Sequence, residues 1–159
     1  MLKINNVSGL THTNKSINFG TNKLVYVCSS LASDYNPENK ENIDFQTHIR
    51  MNMQKAIGYS KKVVANGDIP ILLHDKACYL ADDTNPKERE MILNAGRELV
   101  KRSDALCVFG KPIGGMIDEI KLAKKNGIPV ITPEQLPEID AIVEKTPRFQ
   151  LLQGLDLIG

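Results

Sequence analysis

Leu24-Val25-Tyr26-Val27-Cys28 is the stretch of sequence that decides the fold. A short, unbroken apolar run with β-branched and aromatic residues is typical of a strand that is covered on both faces. Further apolar runs of this kind lie at 69–73, 105–109 and 128–131. Pro70, in the run at 69–73, has no backbone N–H to donate to a neighbouring strand. We therefore expect this strand to lie at a sheet edge or to start at Pro70.

Helical patterns separate the predicted strands. Asp44 is a suitable N-cap for the first helix, and Asn85-Pro86-Lys87-Glu88 combines an N-cap, a proline at the first helical position and a glutamate at the third. Residues 132–135 also resemble a helix start, but Pro137 interrupts it, so a later start is expected. The predicted helices cover 45–65, 86–102, 116–125 and 137–144.

Strands that alternate with helices predict βαβ units, right-handed crossovers and one parallel sheet. We therefore expect an α/β protein, a flavodoxin-like or Rossmann-like three-layer sandwich with a small parallel sheet in strand order 2-1-3-4. The predicted domain spans 23–145, with a polar extension at 1–22 and a tail at 146–159. In such sheets a ligand binds beyond the carboxyl ends of the strands where the winding reverses, here beside loops 29–42 and 110–115.

The composition excludes several classes of function. The 159 residues include 20 Lys and Arg against 19 Asp and Glu, a formal net charge of +1. Proteins that bind a nucleic acid polymer through its phosphates carry a clear basic excess, which is missing here. No run of about 18 apolar residues is present, so neither a membrane span nor a membrane partner is predicted. The first residues also lack the apolar core of a signal peptide.

The cysteines and histidines indicate neither disulfides nor a metal. Cys28, Cys78 and Cys107 are widely separated and odd in number, which favours free thiols in a reducing compartment and a cytoplasmic location. His12 and His48 have no evident ligand partners in the sequence. We therefore predict no metal site and no cofactor.

Two clusters of candidate functional residues lie at the expected crevice. Tyr26-Val27-Cys28-Ser29-Ser30 ends the first strand with two hydroxyls that could bind a phosphate or a sugar, or could satisfy a turn. Residues 110–119 form a glycine-rich loop that opens a helix, although it is neither a P-loop nor a GxGxxG fingerprint. Glu119 lies near this helix start. It could be a nucleophile, or it could simply stabilise the helix through the interaction of its negative charge with the helix dipole.

Two further polar residues flank strands. Asp104 directly precedes the third strand and either bonds a neighbouring loop or contributes to ligand binding. His74 directly follows the second strand and is either a structural hydrogen-bonding residue or a ligand contact.

Taken together, the motifs resemble the nucleoside 2-deoxyribosyltransferase superfamily over residues 23–131. This superfamily includes deoxynucleoside 5′-monophosphate N-glycosidases and short relatives found in phage and mobile-element genomes. The similar segments are Tyr26 to Ser30, Asp104 before the third strand, Gly115-x-x-x-Glu119, and residues 126–130 at the entry to the fourth strand.

The resemblance implies a transferase or hydrolase that acts on a deoxynucleoside or its monophosphate. Glu119 would be the nucleophile that attacks the anomeric carbon as the N-glycosidic bond breaks. Tyr26, Ser29, Ser30 and Asp104 would position the sugar. The expected backbone contacts come from three neighbouring residues, Gly114, Gly115 and Met116. A homo-oligomer is implied as well.

Two departures from the superfamily pattern keep other functions open. Asn94 and Gly96 occupy the helix where the superfamily has another carboxylate, and Leu31-Ala32-Ser33 replaces an arginine of the monophosphate hydrolases. A module that binds a nucleotide-derived molecule without turnover is therefore one alternative. The other is an interaction protein with an inactive site, which would use residues 1–20 or 147–159.

Overall fold

The computed structural model describes residues 22–38, 43–74 and 85–150. Its strands form one four-stranded parallel sheet in the order β2-β1-β3-β4. The strands are β1 (Leu24–Cys28), β2 (Ile69–Ile71), β3 (Ala105–Val108) and β4 (Val130–Ile131). The predicted α/β class, the parallel sheet and its strand order are confirmed.

The helices of the described residues also follow the predicted pattern. Asp44 accepts a hydrogen bond from Thr47 N at 3.0 Å, and Asn85 accepts one from Lys87 N at 3.1 Å, so both predicted N-caps are confirmed. The helices are α1 (Phe45–Ala65), α2 (Pro86–Arg102), α3 (Gly115–Lys125) and α4 (Ile139–Glu144), the last preceded by a 3₁₀ helix at Pro133–Glu138.

The structure corrects the start of the last helical segment. The prediction that helix begins only at position 137 was wrong, because a 3₁₀ helix already starts at Pro133. The Gln135 side chain accepts a hydrogen bond from Thr132 N at 2.9 Å, which stabilises that start. Pro137 lies within the 3₁₀ helix, and the α-helical part begins two residues later.

The second and fourth strands are shorter than their apolar runs. In the fourth run, Ile128 N donates to Ala123 O at 2.9 Å and so closes the end of α3 instead of extending the sheet. Pro129 follows, and its carbonyl accepts from Leu106 N at 2.9 Å before β4 begins. Apolar side chains beyond a strand end can pack on the core without pairing, so hydrophobicity overestimates strand length.

Strand β1 lies at the centre of the core, between two apolar layers. Val25 and Val27 pack toward α1, whereas Tyr26 and Cys28 pack toward α2 and α3. This alternation follows from the two-residue period of a strand, and all four side chains are buried. Consecutive residues of β1 therefore reach opposite faces of the sheet, which decides which cavity each of them can line.

None of the described helices is both long enough and apolar enough to cross a membrane. Cys28 and Cys107 are buried free thiols. Cys78 lies outside the described residues, as do residues 1–21 of the predicted extension and most of the tail.

Candidate active site

A hydrogen bond between Tyr26 and Glu119 is the centre of the candidate site. Tyr26 projects from β1 toward α3, and its hydroxyl donates to Glu119 Oε1 at 2.8 Å. The tyrosine is only 1% exposed, whereas the glutamate is half-buried. Glu119 lies one helical turn after Gly115, so the start of α3 determines that its carboxylate faces β1 rather than solvent.

The surroundings of Glu119 act on its pKa in opposite directions. Burial is the largest influence and raises the pKa, because it disfavours the charged carboxylate. Hydrogen bonds from Tyr26 and Cys28 and the nearby His74 lower the pKa, and the net result is a pKa above the usual value for glutamate. Burial and the adjacent Glu119 likewise raise the pKa of the Tyr26 hydroxyl, which remains a neutral donor.

Glu119 lines a cavity of about 370 Å³ between α2 and α3. This volume lies within the range of about 300–1,000 Å³ that is typical of small-molecule pockets. Leucines at positions 73, 93 and 122 contribute apolar walls, and a set of charged residues surrounds them: Arg97, Asp118, Lys121 and Lys125. The cavity therefore combines one half-buried carboxylate with an apolar interior and more cations than anions.

Gly96 brings the backbone of α2 close to the Tyr26–Glu119 pair. A Cβ atom at this position would lie 2.8 Å from Leu73 Cδ2 and 3.8 Å from the Tyr26 hydroxyl. Sequence reasoning noted Gly96 only as a departure from the superfamily pattern and missed its place in the cavity wall. A glycine inside a helix, which costs about 1 kcal/mol relative to alanine, was the available signal.

Ser29 and Ser30 do not line the Glu119 cavity. They lie on a separate cavity, on the α1 side of the sheet, and the Ser30 hydroxyl donates to Asp34 Oδ1 at 2.8 Å. His74 lies between the two sides: its Nε2 is 2.7 Å from the Ser29 carbonyl oxygen, and an electrostatic interaction with His74 lowers the pKa of Glu119. His74 therefore acts on the candidate nucleophile, whereas the two serines line the other cavity.

Asp104 lies at the opposite end of the sheet from the carboxyl-end crevice. Its Oδ2 accepts a hydrogen bond from Leu24 N at 2.8 Å, and its own N–H donates to the Leu24 carbonyl at 2.8 Å. These bonds close the amino-terminal ends of β1 and β3. The structure does not bring Asp104 to the expected sugar site, because its carboxylate accepts a hydrogen bond from the Leu24 backbone at the amino-terminal end of β1.

The three residues expected to supply backbone contacts are at the start of α3. Gly115 lines the Glu119 cavity, and Met116 is buried in the core beside Cys28. Gly114 has a positive φ of 49°. It also lies against Ser33, because a Cβ atom added at Gly114 would be only 2.6 Å from the Ser33 Cβ. Gly114 therefore permits a close approach between the loops that follow β1 and β3.

Residues 23–132 match the model of a domain family of unknown function, DUF7768. The chain belongs to this family. The match runs from the residue before β1 to the residue after β4, so the DUF7768 domain contains both Tyr26 and Glu119. No curated protein and no solved structure matches the chain.

Within the described part of the DUF7768 domain, no three His, Cys, Asp or Glu side chains are grouped so that they could hold a metal ion. The groups at the Glu119 cavity include a carboxylate, a phenolic donor to it and nearby cations.

Replacing Tyr26 by phenylalanine should raise the pKa of Glu119, because the variant lacks the hydroxyl that donates to Glu119 Oε1. A hydrogen bond to a charged group contributes about 1.5–3 kcal/mol, so the loss is large enough to measure. The sign is upward because the lost donor stabilises the ionised form. NMR titration of the Glu119 side-chain carboxyl carbon measures this shift. Tyr35→Phe is the control, and an equal pKa in wild type and Tyr26→Phe would show that the hydrogen bond does not act on the carboxylate.

Replacing Gly114 by alanine should destabilise the fold by about 2–4 kcal/mol, through backbone strain and the clash with Ser33. Gly110→Ala is a matched control, because Gly110 also has a positive φ, 84°, but has no atom within 4 Å of an added Cβ. Its expected cost is about 1 kcal/mol. Urea unfolding of both variants gives the comparison, and equal losses of stability would contradict the proposed loop contact.

Proposed function

We propose that this DUF7768 domain cleaves or exchanges the N-glycosidic bond of a deoxynucleoside monophosphate or deoxynucleoside, with Glu119 as the nucleophile. The observation that carries the proposal is the 2.8 Å hydrogen bond from Tyr26 to Glu119 at the wall of a cavity of about 370 Å³. A nucleophilic carboxylate must be held in one orientation and must stay ionised, and a buried phenolic donor contributes to both.

The proposed reaction follows the logic of a retaining glycosidase. One carboxylate oxygen of Glu119 forms a bond to the anomeric carbon while the bond to the base breaks, and the base leaves with the electron pair and takes up a proton. Tyr26 holds Oε1, so Oε2 is the oxygen that attacks. Water then cleaves the glycosyl ester to give the free sugar, or a second base displaces the carboxylate to give a new nucleoside.

The charges around the cavity favour an anionic substrate. Arg97, Lys121 and Lys125 line it, against the acidic pair Asp118 and Glu119. Arg97 also pairs with Glu90 at 3.0 Å and Lys121 with Asp118 at 3.9 Å, so Lys125 is the lining cation that forms no ion pair among the described residues. A 5′-phosphate interacts with such cations more strongly than a neutral hydroxyl does, since hydrogen bonds between charged groups are about twice as strong as neutral ones. We therefore place the monophosphate ahead of the free nucleoside as the substrate.

Binding without turnover is the second candidate function, and Gly96 is the observation that favours it. The residue of α2 that lies beside the Tyr26 hydroxyl has no side chain. Among the described residues that line this cavity, the other carboxylate is Asp118, whose side chain is 83% exposed. A carboxylate that faces solvent in this way is poorly placed to give the leaving base the proton that it needs.

The cellular setting belongs to the proposal as well. Cytoplasmic nucleotides are the natural source of a deoxynucleoside monophosphate, and a homo-oligomer follows from the superfamily resemblance. Analytical ultracentrifugation of the full chain measures the oligomeric state directly.

Purified protein incubated with a panel of deoxynucleoside monophosphates and deoxynucleosides should release free base, measured by liquid chromatography. Glu119→Gln keeps the size of the side chain and should reduce the rate about 100-fold or more. Glu98→Gln is the matched control, because Glu98 is exposed on α2 and pairs with Lys101 and Arg102. Ligand-induced thermal stabilisation without base release would support binding alone, and equal rates in wild type and Glu119→Gln would exclude the nucleophile.

The rate should fall as the pH is lowered, because protonation of Glu119 removes the nucleophile. Burial raises the folded-state pKa of this group, so the loss should begin above the usual glutamate value of about 4.3. A pH profile of kcat/KM measures the midpoint, and Tyr26→Phe should move that midpoint to higher pH. A rate that rises toward low pH would instead assign Glu119 the role of a general acid.

A further inference from the structure

A second cavity, of about 490 Å³, opens on the other side of the sheet from Glu119. It lies beyond the carboxyl ends of β1 and β3, where the winding of the sheet reverses. Its walls come from the end of β1, from α1 and from the loop after β3. The residues of these walls include Ser29, Asp34, Lys55, Tyr59, Phe109 and Lys111.

Within the part of the chain that the structure describes, the Ser29 hydroxyl has no hydrogen-bond partner. Ser29 is only 4% exposed, and its Oγ is bonded to no group within the described residues. The backbone of the same residue is satisfied, since His74 lies 2.7 Å from its carbonyl oxygen. Buried hydroxyls in folded proteins almost always have a partner, so an orphan in a cavity wall indicates that a bound molecule supplies one.

The charges of this cavity favour an anion. Lys55 and Lys111 are both exposed at its edge, and Lys111 forms no ion pair with any described residue. Asp34 is the acidic residue of the wall, and its Oδ1 accepts from Ser30 at 2.8 Å and from Asn52 at 2.9 Å and lies 2.9 Å from His48 Nε2. Two lysines thus line the cavity against one carboxylate, which leaves an excess of positive charge.

An aromatic pair forms the apolar part of the wall. The rings of Tyr59 and Phe109 are stacked, with centroids 4.4 Å apart and planes inclined by 13°. Phe109 is buried, and Tyr59 is partly exposed above it. A stacked pair presents a flat, rigid surface that suits a planar ring better than a flexible chain.

We propose that this cavity is a second ligand site, separate from the Glu119 cavity, for a small molecule that carries a phosphate or carboxylate group on a planar ring. The oxyanion lies between Lys55 and Lys111, the Ser29 hydroxyl donates to it, and the ring packs against Tyr59. This site does not require that Glu119 is catalytic.

Isothermal titration calorimetry with the full chain tests the site, with phenyl phosphate, benzoate and inorganic phosphate as probes. We expect at least one of the two ring-bearing anions to bind about tenfold more tightly than inorganic phosphate. Such a probe contacts both the lysines and the stacked aromatic rings, whereas inorganic phosphate contacts the lysines alone. Phenyl phosphate and benzoate distinguish the two oxyanions. No binding of either at millimolar concentration, or tighter binding of inorganic phosphate, would overturn the proposal.

Variants assign the binding to this cavity. Lys55→Gln with Lys111→Gln should weaken the tighter probe about tenfold or more, whereas Lys61→Gln, an exposed lysine of the same helix outside the cavity, should leave binding unchanged. Ser29→Ala should weaken binding about threefold without lowering the Tm, because the lost hydroxyl has no partner among the residues that the structure describes. A lowered Tm would show that the hydroxyl is structural and overturn its role.

Glu119→Gln separates this proposal from the proposed function. The variant should bind the probe as the wild type does while it fails to release base. Loss of probe binding in Glu119→Gln, with retention in the double lysine variant, would place the probe in the other cavity and overturn the second site.

Discussion

Burial of β1 on both of its faces is the constraint on which the rest of the structure depends. The strand pairs with β2 on one side and with β3 on the other, and apolar side chains cover both of its faces. No residue of β1 can therefore turn without disturbing a core. Tyr26 is consequently fixed in the direction of α3, whereas the next hydroxyl residue beyond the strand, Ser29, is fixed on the side of α1.

This constraint gives the Tyr26–Glu119 hydrogen bond its chemical meaning. A phenolic hydroxyl that is buried in a rigid strand cannot leave its partner for water, so the carboxylate has one donor at a constant position. Burial of Glu119 opposes its ionisation, and the donors offset part of that cost. A carboxylate whose pKa is shifted by burial and by specific donors, and which lines a cavity, is a candidate for a functional group.

Much of the fold could be predicted from the sequence, because it depends on local signals and on strong periodicity. The boundaries of α1 were set by Asp44 and by Asn66-Gly67, and the apolar runs placed all four strands in their order. The 3₁₀ helix at Pro133–Glu138 was not predicted, because the capping box between Thr132 and Gln135 starts it despite the proline signal at Pro137.

The candidate site was only partly predictable. A motif reveals which residue types occur together along the chain, but not on which face of a sheet each side chain lies. Ser29 and Ser30 follow Tyr26 closely in sequence, yet they line a different cavity, and Asp104 is used at the far end of the strands. The part played by Gly96 needed the packing of α2 against β1, which no local pattern encodes.

The most direct measurement of the central claim is mass spectrometry of the protein after reaction with a deoxynucleoside monophosphate and rapid acid quenching. If Glu119 is the nucleophile, the peptide that contains it gains the mass of one deoxyribosyl phosphate, and the Glu119→Gln protein gains none. Release of base with no label on that peptide, or with the label on another residue, would contradict it.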